Sequence, residues 1–411
     1  MSRCPHSTAV SPRPNRMGGR AYNRPMADGA LSTQAGVEDE LRLLRASVRE
    51  FVAREVAPHM DEWERAGELP RALHEKAGAA GLLGAGFPEE AGGSGGTILH
   101  TMVIVEEIIQ GGGSSGLCAA LFTHGIAVPH IVAAGDPAQI ERFVRPALAG
   151  RKIGALAVTE PDAGSDVASI RTRAVRDGDH YVVNGTKTYI TSGARADFVT
   201  TAVRTGGEGH RGLSLLVIEK GAPGFTVGKR LDKVGWWCSD TAELAFSDAR
   251  VPAVNLVGAE GTGFRQIMAQ FISERLCLAV EAYATAQRCL SLAIRWARAR
   301  QAFGTRLADK PVIRHKLAEM ARQTDVAREY VRAVARRFTA GEDVSREAAM
   351  AKNTAVYACQ WVVHEAVQIH GGMGVMRESE VERHYRDARI LGIGGGTSEI
   401  MNEVIADRLG L

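Results

Sequence analysis

With 411 residues, 24% of them charged and 45% apolar, the chain is long enough for two or three packed cores and too apolar to be disordered throughout. Fifty lysines and arginines against 47 aspartates and glutamates give a formal net charge of +3, which argues against a dedicated nucleic-acid protein. No apolar run is long enough to span a bilayer, and the six cysteines are scattered without a Cys-x-x-Cys pair or a Cys/His cluster, so neither a zinc site nor a disulfide framework is indicated.

In chain order, residues 1–35 come first, with Arg3, Arg13, Arg16, Arg20 and Arg24 among serine, proline and glycine and no acid before Asp28. The prolines and the lack of apolar periodicity favour a disordered tail, or an over-extended start with Met26 as initiator, over a transit peptide. A cytoplasmic protein is expected, or a mitochondrial-matrix one if the tail is a targeting segment. From about Glu38, Leu41, Leu44, Val48, Phe51, Val52 and Val56 recur at the spacing of an amphipathic helix. Pro70 opens another helix that stops at Gly81. Helical text continues over Ile98–Ile109, from about Ser115 to Ala133, and from an Asp136-Pro137 cap to Gly150, so 36–152 reads as an all-helical domain.

Residues 153–256 change character. Asp177-Gly178 and Asn184-Gly185 separate the β-rich runs Arg171–Val175, His180–Val183 and Thr186–Thr191 at hairpin spacing, and Asp197–Val203, Leu213–Ile218 and Glu243–Phe246 continue the pattern. Residues 257–411 are helical again, with Phe264–Arg300, Val312–Ala340, Ser345–Ile369 and Glu380–Asp387 as long candidates. The expected fold class is α+β multidomain: an N-terminal α-helical domain, a middle β-barrel-like domain and a C-terminal four-helix bundle.

Three segments carry candidate chemistry. Ala157–Ser169, AVTEPDAGSDVAS, leaves an apolar strand in a turn that exposes backbone N–H groups and the hydroxyls of Thr159 and Ser165, although a plain capped turn reads the same way. In Gln368–Asp387, QIHGGMGVMRESEVERHYRD, the glycines Gly371, Gly372 and Gly374 end a helix. In Ile393–Ile400, IGGGTSEI, Gly394, Gly395 and Gly396 allow a ligand close to the backbone, and Thr397 or Ser398 can cap the helix that follows to Leu409.

These motifs, in this order and over residues 38–411, resemble the signatures of the acyl-CoA dehydrogenase family. The resemblance implies FAD as cofactor and an acyl-CoA substrate. It implies that Thr159 and Ser165 meet the flavin, Ser165 the thioester as well, with Tyr189 packed beside the ring and Thr191 near its N5. It assigns Arg300 and Phe303, in RQAFG, with Gln368, Gly371 and Gly372, to the FAD diphosphate and adenosine of a neighbouring subunit, hence a homo-oligomer, a tetramer by analogy. Thr397 and Glu399 are implied to face the flavin. Lys310-Pro311 departs from the family, in which many members carry His-Gln, and the basic run around Arg295–Lys316 is a solvated face with some charges toward phosphates.

The family's base is missing at its commonest place, where this chain has Gly395. Long-chain and isovaleryl members instead take the carboxylate from a helix early in the C-terminal domain, directly before an arginine, and Phe271-Ile272-Ser273-Glu274-Arg275-Leu276 matches that arrangement. Glu274 is therefore the expected base, Arg275 a neighbour that orients the site or complements its charge, and Gly395 room beside the thioester. Glu399 and Glu403 are its competitors, and Glu160 is expected to hold its turn. The implied activity is α,β-dehydrogenation of an acyl-CoA with electron-transfer flavoprotein as acceptor and a long or branched acyl chain. A carrier-protein thioester, flavin oxidase or monooxygenase chemistry, and a near-inactive nucleic-acid- or protein-binding flavoprotein are the rivals. No metal, nucleic acid or membrane partner is expected.

Overall fold

The computed structural model describes residues 34–411, so the expectation of a disordered or over-extended start lies outside the described residues except at the onset of the first helix. The N-terminal unit consists of α1 (Gln34–Phe51), α2 (Met60–Ala66), α3 (Arg71–Ala79), α4 (Ile98–Gln110), α5 (Ser115–Leu121), α6 (His124–Ala127), α7 (Pro129–Ala134), α8 (Pro137–Gln139) and α9 (Arg145–Leu148). The apolar seam of the first helix is buried at Val48, Phe51, Val52 and Val56, against the central α4 with Ile104, Ile108 and Ile109. Asp136 caps as expected, its Oδ1 accepting from the N–H groups of Ala138 and Gln139 at 2.8 and 3.0 Å. The single helix expected from Ser115 to Ala133 is instead three pieces. Thr123 turns its hydroxyl back to the carbonyls of Ala119 and Ala120 at 2.8 and 3.1 Å, and Pro129 has no N–H with which to continue the ladder.

The middle unit is a curled seven-stranded sheet: β1 (Gly154–Ala157), β2 (Arg173–Asp177), β3 (His180–Thr191), β4 (Phe198–Arg204), β5 (Leu213–Glu219), β6 (Phe225–Arg230) and β7 (Thr241–Pro252), in the order β1-β4-β2-β3-β7-β6 with β5 on β4. Strands β4 and β5 are buried on both faces, which is why they read as unbroken apolar runs. Val199, Val203, Leu216 and Ile218 face the sheet's own core with Tyr181 and Phe246. Phe198, Ala202, Leu215 and Val217 face the helices with Phe143. Asp177-Gly178 does turn the chain between β2 and β3.

Asn184-Gly185 does not. The strand runs straight through it against β7, with a register shift between Val183 and Gly185. Gly185 has φ +147°, and a Cβ there would lie 2.5 Å from Thr172 Oγ1, while Asn184 spends its amide on Asp248 at 3.0 Å. The pair is a β-bulge that lets the strand pass close to Thr172. Strand β6 had no signature in the sequence because its residues from Thr226 to Arg230 are all exposed, leaving no alternation to read.

The C-terminal unit comprises α10 (Gly263–Ala299), a two-strand tip of β8 (Gln301–Ala302) and β9 (Thr305–Arg306), α11 (Pro311–Thr339), α12 (Ser345–His370), α13 (Glu380–Ala388) and α14 (Ser398–Leu409). Helix α10 runs 37 residues unbroken because nothing between Phe264 and Ala299 is glycine or proline. It packs on α11, α12 and α4, and α14 closes the bundle on α12. Ile267 of α10 belongs to the core shared with β4 and β5, whereas Leu276 onward belongs to the helical core, so the three units meet around Phe271–Leu276. Among the described residues no single helix is long and apolar enough to cross a membrane, the five cysteines are free, and no group of three His, Cys, Asp or Glu residues could hold a metal ion.

Candidate active site

Glu274 sits at that junction. The loop after α13 returns to α10 there, its turn closed by the Gly394 N–H donating to the Ile390 carbonyl at 2.9 Å. Gly395 lies at φ +62°, and a Cβ built on it would stand 3.2 Å from Glu274 Oε1 and 2.4 Å from Leu278 Cδ1. The room expected beside Gly395 is thus taken by the Glu274 carboxylate itself. Two positions far apart in sequence serve one point in space, and only one of them can carry an acid. Among the described residues the N–H of Gly395 finds no hydrogen-bond acceptor, so a free donor lies next to that carboxylate.

The electrostatics separate Glu274 from its competitors. Burial raises the Glu274 carboxyl above its ordinary range, with Lys352 and Arg275 offsetting part of the rise. Glu399 is exposed and held below its ordinary value by its own backbone N–H and the Thr397 hydroxyl, and Glu403 is exposed on α14. Arg275 is buried over the Phe271 ring, 5.8 Å from its centroid, with no partner for its Nε. Thr397 caps α14, its Oγ1 accepting from the Ile400 N–H at 3.2 Å.

On the sheet side, the Thr159 carbonyl accepts from the Thr188 N–H at 3.0 Å, which draws the turn after β1 to the end of β3 and brings Thr159, Tyr189 and Thr191 to one edge. Ser165 is exposed in the same turn. Tyr189 is 69% exposed with φ +59°, an unusual combination for a large aromatic residue and suited to covering a flat ligand. Ser192 follows at φ +59° and is hydrogen-bonded to Thr123 at 2.7 Å, tying the edge to the helical unit.

Glu160 holds this turn rather than facing a ligand. Its carboxylate accepts from the N–H groups of Arg171 and Thr172 at 2.6 and 2.9 Å and from Lys187 Nζ at 2.8 Å. Burial alone would push it up, but Lys187 and those donors keep it below its ordinary value. Lys187 is fully buried and also donates to the Val158 carbonyl at 2.9 Å. Sequence reading missed it, although a lysine at an inward position of a strand was a signal. Lys187→Met leaves a buried carboxylate without its cation, and urea unfolding is expected to show a loss of about 3 kcal/mol; an unchanged midpoint would contradict this account of the turn.

The remaining implied residues gather elsewhere. Trp296 of α10 stacks on His370 of α12 with centroids 5.1 Å apart, drawing together the helix ends from which Arg300 and Gly371 follow. A Cβ at Gly371 or Gly372 would meet nothing within 4 Å, leaving an open cradle, and Phe303 is 96% exposed at φ +54° with Lys310 Nζ 5.8 Å from its ring. Glu274 lies 25 residues (299 − 274) before the last residue of α10, about 38 Å at 1.5 Å per residue, and Arg300 caps that end. The structure therefore builds two separate groups of candidate ligand contacts, one beside the first half of α10 and one at its C-terminal end. The exposed Tyr189 face and Thr159 hydroxyl suit a flavin ring, and the Arg300 guanidinium with the open glycine pair suits a diphosphate.

The chain is similar to known proteins over nearly all of its described length. Residues 38–151, 155–249 and 261–410 match the models of the N-terminal, middle and C-terminal domains of acyl-CoA dehydrogenase. A curated relative, the mitochondrial long-chain specific acyl-CoA dehydrogenase of Rattus norvegicus, is 40% identical over 370 residues, covering 89% of this chain and 86% of that protein. The short-chain specific enzyme of Bos taurus is 37% identical over 369 residues, 90% of this chain and 89% of its own. A crystal structure of a probable acyl CoA dehydrogenase from Mycobacterium abscessus superposes with a TM-score of 0.89 at 66% identity, covering 93% of this chain and all of that one.

Proposed function

Because the chain belongs to the acyl-CoA dehydrogenase family of flavoprotein oxidoreductases, we propose that it binds FAD and converts an acyl-CoA to its trans-2-enoyl-CoA, with Glu274 as base. The observation that carries the reading is the convergence of Glu274 Oε1 on the place where a side chain at Gly395 would stand. A carboxylate at that point has the free Gly395 N–H beside it, so a thioester whose carbonyl accepts from that N–H presents its α carbon to Glu274. Glu274 takes the α proton, and the desolvation that raises its pKa brings it closer to the weak carbon acid it must deprotonate. FAD, when bound, supplies the acceptor for the β hydride.

Thr159, Ser165, Tyr189 and Thr191 are the contacts we assign to the flavin, with Thr397 and Glu399 on its other side and Ser165 and Arg275 toward the substrate. Arg300 and Phe303 lie just past the C-terminal end of α10, and Gln368, Gly371 and Gly372 at the C-terminal end of α12, a separation from Glu274 that argues against their serving the same cofactor. They are assigned to the FAD of a second copy of the chain, which makes an oligomer, a tetramer by family analogy, part of the proposal. Electron-transfer flavoprotein is the proposed acceptor, and a helix-borne base supports a long or branched acyl substrate. Identity does not choose between chain lengths, since the long- and short-chain relatives differ by only three points, 40% against 37%.

The test is anaerobic titration of the purified flavoprotein with straight and branched acyl-CoAs of graded length. Bleaching of the flavin by a subset of long or branched thioesters is expected. If no thioester reduces it, the assignment fails.

A further inference from the structure

Lys352 lies in the third turn of α12 among Ala348, Ala349, Ala351, Ala355 and Val356, all fully buried, and is itself 1% exposed. An ammonium in such a place is costly unless its protons are used. Two of them are: Nζ donates to the carbonyls of Gly394 and of Gly396. The next residue, Asn353, donates to the Ser398 carbonyl at 3.0 Å, so this stretch of α12 grips the whole glycine loop and the start of α14.

The peptide linking Gly394 to Gly395 is trans, and in a trans peptide the C=O and the N–H of the same unit point in opposite directions. With its carbonyl end fixed on Lys352, that unit must aim the Gly395 N–H away from α12. The glycines alone would leave the direction free, because each tolerates either sign of φ. Lys352 forms no ion pair with Glu274 within contact distance, yet the two charges act on each other across the loop.

We infer that Lys352 is a positioning residue for the dehydrogenation: it orients the Gly395 N–H for the thioester carbonyl, and its buried ammonium, fixed on the Gly394 and Gly396 carbonyls, sets its charge across the loop from Glu274. The inference rests on Glu274 being the base. The other charged or titratable groups facing Glu274 are Arg275, which acts in the same direction, and, on the same helix, Cys277, pushed up to about 12, and Glu281, pushed up to about 8 by its burial, with Asp387 of α13 beyond it. Lys352 is the only one of these cations held on a different element from Glu274. Removing it leaves the carboxylate facing Arg275 and a dry helix face.

The experiment is single-turnover flavin reduction by the best acyl-CoA across pH, in wild type, Lys352→Met and Lys352→Arg holoenzymes, together with the infrared carboxyl band that E274Q deletes. In K352M the rising limb of the pH profile and the titration of that band are both expected to move up by about one unit, a roughly tenfold slower reaction on the limb. K352R keeps the charge and the limb but cannot hold both carbonyls from one nitrogen, so its plateau rate should fall by about tenfold. A K352M limb that coincides with wild type, its rates scaled equally at every pH, overturns the charge role. A K352R plateau equal to wild type overturns the orienting role, and that variant decides the matter if K352M does not fold. An E274Q enzyme that still reduces its flavin would instead defeat the base assignment, whatever Lys352 does.

Discussion

Glu274→Gln is expected to retain its flavin, its fold and its affinity for acyl-CoA while reducing the flavin about 10⁴-fold more slowly than wild type. The substitution is isosteric and leaves the Gly395 N–H, Leu278 and Arg275 in place, so only the proton acceptor is lost. Stopped-flow bleaching measures the rate, and the visible spectrum of the purified variant measures retained FAD. A second readout follows from the desolvation of the acid. Its pKa is raised on folding, so the stability that it contributes is complete below the ordinary glutamate pKa and is lost as pH rises through the raised value. Removing the charge should therefore raise the thermal midpoint at pH 8 by more than at pH 4. A variant that reduces flavin at the wild-type rate would remove Glu274 from the chemistry.

Moving the carboxylate tests the geometry more sharply than deleting it. Gly395→Glu alone is expected to be nearly inactive and about 1–3 kcal/mol less stable, because its Cβ meets Leu278 Cδ1 at 2.4 Å and its acid enters the space of Glu274 at a backbone φ of +62°. Glu274→Gly alone is inactive for want of a base. Combined, the two changes clear the space and refill it from the loop, leaving only the flexible end of Leu278 to shift. The double variant should then reduce flavin at least about 10²-fold faster than either single one, a coupling that independent sites do not show. If the double variant is no better than its parents, Gly395 and Glu274 do not serve one point.

The architecture was legible because it is written in periodicity: three- and four-residue steps in α1, apolar runs in β4 and β5, and a long stretch without glycine or proline in α10. The errors arose where local text has two meanings. Asn184-Gly185 is as good a bulge as a turn, and the space claimed by Thr172 decides between them. The Ser115–Ala133 run is apolar enough for one helix, but Thr123 and Pro129 break it. At the site, the absence of an acid at Gly395 and its presence at Glu274 could be read in the sequence, whereas their contact could not, since it depends on the path of a glycine loop. Lys352 and Lys187 escaped notice for a related reason. A lysine reads by default as solvent-facing, and although the strand alternation turns Lys187 inward, only the packing shows that either ammonium ends on buried carbonyls.

The length of α10 has a consequence for inheritance. If Glu274 in the first half of α10 and Arg300 at its C-cap serve different cofactors, each catalytic unit draws one half from each of two chains. Pair an E274Q chain with an R300E chain in such a dimer. One unit receives both lesions and the other receives neither, so the mixed assembly regains half of its activity from two inactive parents. Damage at these two places along a single helix would then complement between alleles, whereas two lesions at the same place would not.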